Sequence, residues 1–245
     1  MKVALLGGTK GMGRALARAM AQRGDHLVLL GRDAADLDRS AEDLTARAPG
    51  SILGTATCDL ADPGTFEPAL ARAREALDGL DAVIVTAGLF ATQEALEQDL
   101  SRTEELLRVN FANTVLFCEH ARTLLMAGGG GTLCVFSSVA GDRGRKPVIL
   151  YGASKAGLSY YLEGLDHKFR SEGLVTVCVK PGFVKTGMTA GLKPPPFAGE
   201  PEQVARDVVK AIDRGRPVVY TPAAWWLVMA VIRRLPRLVM RRIGF

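Results

Sequence analysis

Lys2-Val3-Ala4-Leu5-Leu6-Gly7-Gly8-Thr9-Lys10-Gly11-Met12-Gly13 is the stretch that decides the fold. Residues 2–6 read as a buried strand, and residues 12–23 repeat their apolar positions at helical spacing. Between them, glycines at 7, 11 and 13 allow the backbone to approach a pyrophosphate, which the amides and the positive end of the helix then hold. The spacing departs from G-x-G-x-x-G, so the reading rests on strand, turn and helix following in the required order.

The same alternation continues outward from that turn. Residues 26–30 form the next strand and end in Gly31-Arg32-Asp33. In a dinucleotide fold the adenosine ribose lies here; an acid would take a 2′-hydroxyl, whereas a guanidinium favours a 2′-phosphate. Arg32, helped by Lys10, therefore selects NADP over NAD. The bland alternative is a surface arginine beside Asp33, which would cap a helix over 34–47. Residues 51–57 give a third strand, followed by Cys58-Asp59-Leu60 and a helix over 63–77 with Asp62 as its cap and Pro63 at its first position. A fourth strand, 81–85, runs into Thr86-Ala87-Gly88. Residues 103–126 read as helix, with Asn110 as a lone amide in an apolar run. Strands at 131–136, 174–179 and 217–221 and helices at 151–171 and 201–213 complete the pattern. Strands alternating with helices predict an α/β chain: a doubly wound parallel sheet of about seven strands in a single domain, 1–221, with ligands beyond the C-terminal strand ends.

Composition narrows the class further. At 245 residues and 48% apolar content the chain can bury one full core. Cys58, Cys118, Cys134 and Cys178 lack Cys-x-x-Cys spacing and sit in apolar surroundings, as small core residues in a reducing cytoplasm. His26, His120 and His167 form no ligand pattern, so no metal is expected. The start has too short an apolar run for a signal peptide, which predicts a cytoplasmic protein. The net charge is +5, and Arg233, Arg234, Arg237, Arg241 and Arg242 account for all of it. A nucleic-acid binder would spread its basic face over the fold, so no nucleic-acid partner is expected.

Tyr151-Gly152-Ala153-Ser154-Lys155 carries the chemistry. Tyr151 and Lys155 share a helix face, being separated by one turn. A phenol titrates near pH 10, so proton transfer near neutrality needs about 4 kcal/mol of help to the ionised form. An ammonium about 4 Å away supplies an interaction of that size. Taken alone the pair is weak, because tyrosine and lysine share helix faces by chance in many proteins.

In company with the other segments, the chain resembles the short-chain dehydrogenase/reductase family over residues 2–186, which implies a Rossmann fold. The family's T-G-x-x-x-G-x-G turn appears from Leu6 to Gly13, with leucine in place of threonine, and its N-N-A-G segment resembles Val85-Thr86-Ala87-Gly88. Its active serine lies thirteen residues before its tyrosine, which selects Ser138 over Ser137. Pro181-Gly182-Phe183-Val184-Lys185-Thr186 resembles P-G-x-V-x-T, whose threonine binds the nicotinamide carboxamide. The resemblance implies Asn110, Ser138, Tyr151 and Lys155 as the catalytic set. It implies NADP(H) contacts from Gly7, Thr9, Lys10, Gly11, Met12 and Gly13, from Arg32, Asp59, Leu60, Ala87 and Gly88, from Tyr151 and Lys155, and from Pro181, Gly182, Val184 and Thr186. The reaction implied is reduction of a ketone, with Tyr151 giving the proton, Ser138 holding the carbonyl oxygen, Lys155 lowering the tyrosine pKa and Asn110 supporting a water chain. A homodimer or homotetramer is expected by the same resemblance.

The surroundings speak to substrate. The loop Asp142-Arg143-Gly144-Arg145-Lys146-Pro147 borders the cleft with three cations, readable as an anion site or as solvated surface, and residues 187–200 read as a substrate lid. Beyond Thr221, residues 222–245 form an apolar and basic tail. Ten apolar residues, 223–232, would span about 15 Å as a helix against a hydrocarbon core of about 30 Å, too short to cross but suited to the interface. Trp225 and Trp226 and the arginines predict peripheral contact with the inner face of a membrane, and the tail resembles that of family members acting on lipid-linked ketones. The alternative packs this tail over the lid or on a second subunit. Two other functions compete: a soluble 3-oxoacyl-carrier-protein or polyketide-type ketoreductase, and a nucleotide-sensing protein without chemistry, which would not need all four catalytic residues.

Overall fold

The computed structural model describes residues 1–243; Gly244 and Phe245, the end of the predicted tail, lie outside the described residues. In chain order the elements are β1 (Lys2–Leu6), α1 (Gly11–Gln22), β2 (His26–Gly31), α2 (Ala34–Arg47), β3 (Ile52–Thr57), α3 (Phe66–Leu77), β4 (Ala82–Val85), α4 (Gln93–Gln98), α5 (Leu100–Leu107), α6 (Thr114–Ala127), β5 (Gly131–Phe136), α7 (Ile149–Phe169), β6 (Leu174–Pro181), α8 (Pro201–Asp213), β7 (Val218–Thr221), α9 (Ala224–Arg234) and α10 (Arg237–Arg242).

All seven strands pair in parallel in the order β3-β2-β1-β4-β5-β6-β7. Strands buried on both faces need apolar residues at nearly every position, which is why β1 and β4 read as unbroken hydrophobic runs. Alternate side chains then feed two cores. Ala4, Leu6, Val28, Leu30, Val83 and Val135 meet α3, α6 and α7 through Phe66, Leu70, Phe117, Leu158 and Leu162. Val3, Leu5, Leu27, Leu29, Ile84 and Val179 meet α1, α2 and α8 through Leu16, Met20, Leu37, Val204 and Val208. The order reverses between β1 and β4, and the crevice at that switch point lies beyond the strand ends.

Three local expectations are corrected. The helix predicted over 103–126 is divided: α5 passes into a π-helical turn, Arg108–Asn113, before α6 begins. The Thr114 hydroxyl donates to the Val109 carbonyl at 2.7 Å, and Asn110 is engaged elsewhere, so the extra residue in the turn is satisfied. The helix predicted from Pro63 begins as a 3-10 turn, Pro63–Thr65, in which Asp62 accepts from the Gly64 amide at 3.0 Å, and becomes α-helical at Phe66. The short α4, capped by Thr92, falls in a stretch without a predicted element.

The first helix of the tail packs on the domain. Trp225, Met229 and Ile232 form the buried stripe of α9 and pack with Val139, Phe183 and Tyr220. Two cations of the 142–147 loop hold the tail's backbone: Arg143 Nη2 donates to the Leu235 carbonyl at 3.0 Å, and Lys146 Nζ to the Arg241 carbonyl at 2.7 Å. Both carbonyls lie at helix C-terminal ends, where cations are favourable. Among the described residues no helix is long and apolar enough to cross a membrane.

Candidate active site

The glycine turn closes the β1 end. Gly7 has φ +93 and Gly11 φ +51, conformations that suit glycine. A Cβ on Gly13 would stand 2.1 Å from the Gly7 carbonyl oxygen and 2.4 Å from the Thr86 hydroxyl, so α1 can approach the sheet only without a side chain there. Thr86, where the family pattern has asparagine, donates its hydroxyl to the Leu6 carbonyl at 3.1 Å and ties β4 to β1. Thr9 is half-buried in the turn, and Lys10 is the residue before α1, exposed and paired with Asp36 at 2.6 Å. That lysine and Arg39 hold the Asp36 carboxyl below its usual range. Arg32 is exposed directly after β2.

Further along the crevice, the Asp59 side chain accepts from the Ala61 amide at 2.9 Å, and the carbonyl of buried Leu60 accepts from Asn113 Nδ2 at 2.6 Å. Ala87 and Gly88 follow β4. A Cβ on Gly88 would lie 3.1 Å from Asn110 Oδ1 and 3.5 Å from Lys155 Nζ, so these three residues border one small space. On the far side a Cβ on Gly11 would lie 3.4 Å from Thr186 Cγ2, which brings the β6 end over the glycine turn. The cradle is thus walled from both sides, lacks side chains at its closest approaches and offers the amides of α1. These features fit a dinucleotide.

Asn110 is fully buried and clamps Leu89 both ways, accepting from its amide at 2.7 Å and donating to its carbonyl at 2.8 Å. The two adjacent serines at the β5 end both line the cavity but differ in their hydrogen bonds. Ser137 is spent internally, donating to the Lys155 carbonyl at 2.9 Å and sharing a hydrogen bond with Ser159 at 2.7 Å. Ser138 Oγ accepts from the Ala140 amide at 3.1 Å and lines the cavity, so its own proton can be given to a ligand.

Tyr151 sits in the first turns of α7 and Lys155 one turn on, as their spacing predicts. The start of α7 is held by Gln93 of α4, whose side chain accepts from the Leu150 amide at 3.1 Å. Phe90 meets the Tyr151 ring edge-on at 5.2 Å. Neither Gln93 nor Phe90 carries a signal in sequence, since both act from a stretch without periodicity. The electrostatics differ from the expectation. Lys155 Nζ donates to the Phe136 carbonyl at 2.9 Å and lies 6.0 Å from the Tyr151 ring centroid. Burial pushes the Tyr151 pKa up to about 12, with hydrogen bonding to Ser138 pulling the other way, and burial pushes Lys155 down to about 8. Desolvation disfavours whichever form is charged, so the phenol is neutral across the physiological range.

Ser138 and Tyr151 line a cavity of about 570 Å³, with Asn110 and Lys155 buried behind them. Pro181, Gly182, Val184 and Thr186 line one side with Met12, and the 187–200 segment contributes Met188, Leu192, Lys193 and Pro195. The bridge between Val184 and Gly199 closes that segment back on the β6 end. Arg145, third of the loop cations, lines the cavity, as does Trp225 from the tail. The arrangement places a protonated phenol and a serine hydroxyl at one end of a largely apolar chamber, next to a dinucleotide cradle.

A family model described as short chain dehydrogenase matches residues 2–196. The chain is similar, at 32% identity over 98% of its length and 96% of the relative, to an uncharacterized oxidoreductase of Mycobacterium tuberculosis. It is 28% identical, over 85% of its length and 88% of the relative, to a 3-oxoacyl-acyl-carrier-protein reductase of Aquifex aeolicus. A solved short-chain type dehydrogenase/reductase from Mycobacterium ulcerans superposes with a TM-score of 0.82 at 20% identity, covering 89% of this chain and 87% of that one. The protein belongs to the short-chain dehydrogenase/reductase family, oxidoreductases that act between CH–OH and C=O with a nicotinamide dinucleotide.

Proposed function

We propose that the protein reduces a ketone to a secondary alcohol with NADPH, and that the ketone is lipidic or lipid-linked. The observation that carries the reduction is the Tyr151 phenol, held neutral beside the Ser138 hydroxyl in an apolar chamber. The dinucleotide, when bound, supplies the hydride. Ser138 donates a hydrogen bond to the carbonyl oxygen and orients it. Tyr151 gives the proton to the oxygen as it becomes an alkoxide, a base far stronger than a phenolate, so the raised pKa does not block the transfer. Lys155, still largely protonated below pH 8, would hold the nicotinamide ribose, and its positive charge steadies the phenolate that forms. Asn110 keeps the π turn against Leu89, and a chain of waters past that turn and Lys155 would return a proton to Tyr151.

Preference for the 2′-phosphate is supported by the exposed cations Lys10 and Arg32 flanking the ribose end of the crevice. A lipidic substrate is supported by the apolar lining of the cavity and by the tail's outer surface, where Trp226, Leu227, Val231, Leu238 and Val239 are exposed beside arginines. That surface suits peripheral contact with an anionic membrane at its inner, cytoplasmic face. A soluble ketoreductase of carrier-protein substrates is the second reading, favoured by the inward packing of α9 and by the Aquifex relative. A homodimer or homotetramer is proposed for either.

Oxidation of NADPH and NADH with a panel of ketones tests the reading. Wild type should oxidise NADPH faster, and Tyr151→Phe should lower kcat on the order of 10³-fold with NADPH affinity nearly intact. Equal turnover by the two proteins would remove the proton role.

A further inference from the structure

We propose that Trp225 is a specificity-determining wall of the substrate cavity and the tie between the C-terminal helix and the lid, so that the tail helps decide which ketones enter. The inference rests on the ketone-reductase reading and adds a residue that no motif marks.

Three observations converge on this indole. It lies directly on the backbone of Gly182: a Cβ there would stand 2.1 Å from Trp225 Nε1 and 2.3 Å from its Cδ1. The glycine after β6 therefore has a packing reason of its own, which is to leave room for the ring. The indole N–H then reaches the lid and donates to the Phe197 carbonyl at 3.1 Å. Finally, the side chain lines the same chamber as Ser138 and Tyr151 and is only 9% exposed, backed by Met229 and Val139.

A large, rigid aromatic with one polar edge fixes both shape and position. Its face bounds the chamber, while its N–H holds the lid segment, which is bridged to the β6 end at Val184 and Gly199. A pocket wall discriminates by how much substrate volume it admits, with effects of about 10- to 200-fold per small group. Removing the ring should consequently favour bulkier ketones, whereas removing the N–H alone should loosen the lid without changing the size limit.

The test compares cyclohexanone with the bulkier cyclododecanone in wild type, Trp225→Phe and Trp225→Ala. For Trp225→Ala the ratio of kcat/KM, cyclododecanone over cyclohexanone, should rise about tenfold; for Trp225→Phe, which loses the N–H and one ring, it should rise by less than in Trp225→Ala while KM rises for both. NADPH affinity measured alongside reports whether each variant is folded. A uniform fall for both ketones in Trp225→Ala would make the residue merely structural and overturn the inference. The second arm needs no turnover. The chain has two tryptophans, so Trp226→Phe leaves Trp225 as the sole reporter, and its emission should shift when cyclododecanone binds. An unchanged emission at saturating ketone would overturn the wall. A shifted emission with no NADPH oxidation by any ketone would support the wall and overturn the reductase reading instead.

Discussion

Tyr151 and Lys155 respond in opposite directions to the same burial, the phenol upward and the ammonium downward. A lysine whose folded pKa is about 8 binds fewer protons than the unfolded chain, with its ordinary value near 10.5, throughout the interval between them. Stability attributable to this group thus rises with pH from about 8 to about 10.5 and is lowest below 8. Thermal or denaturant unfolding of the dinucleotide-free protein should show Lys155→Met losing about 2 kcal/mol of its advantage relative to wild type between pH 8 and 10. Parallel pH profiles for the two proteins would contradict the shifted lysine. The expected places of Asn110, Ser138, Tyr151 and Lys155 came from the resemblance of their segments to the family's motifs, with only the shared helix face of Tyr151 and Lys155 read from spacing. Their electrostatics were not legible, since a pKa depends on walls contributed by Phe90, Phe136 and the lid, all distant in sequence.

At the level of elements, the informative departures cluster beside the site. The division of 103–126 into α5, a π turn and α6 puts Asn110 where it can clamp Leu89, and the clamp holds the segment after β4 near Lys155. Asn110→Ala leaves both the amide and the carbonyl of Leu89 without this partner, which should cost about 2 kcal/mol of stability. Urea unfolding measures it directly; a change below about 0.5 kcal/mol would mean that the clamp is dispensable. Strands and long helices were legible from periodicity, and Asp33, Asp62 and the glycine turn from their cap and turn chemistry. The π turn was hidden because the apolar pattern runs through it, and α4, at six residues, is too short for a period to register.

For the molecule as a whole, alternating strands and helices dictated the parallel sheet and its ligand crevice. The tail could be read two ways because its two faces are both apolar. Trp225 turns inward to the cavity and Trp226 outward, 56% exposed. If the outer surface rests on anionic lipid, Trp226→Ser with Leu227→Ser and Val231→Ser should abolish co-sedimentation with vesicles containing phosphatidylglycerol while leaving cyclohexanone reduction unchanged; equal sedimentation of the variant would refute membrane contact through this face. The decisive event is hydride transfer in this chamber with Tyr151 giving the proton. Single-turnover reaction of a ketone with NADPH carrying deuterium at both C4 positions of the nicotinamide tests that directly. The account predicts deuterium on the carbinol carbon with wild type and on the order of 10³-fold slower transfer with Tyr151→Phe. Unlabelled alcohol, or equal rates from the two proteins, would contradict it.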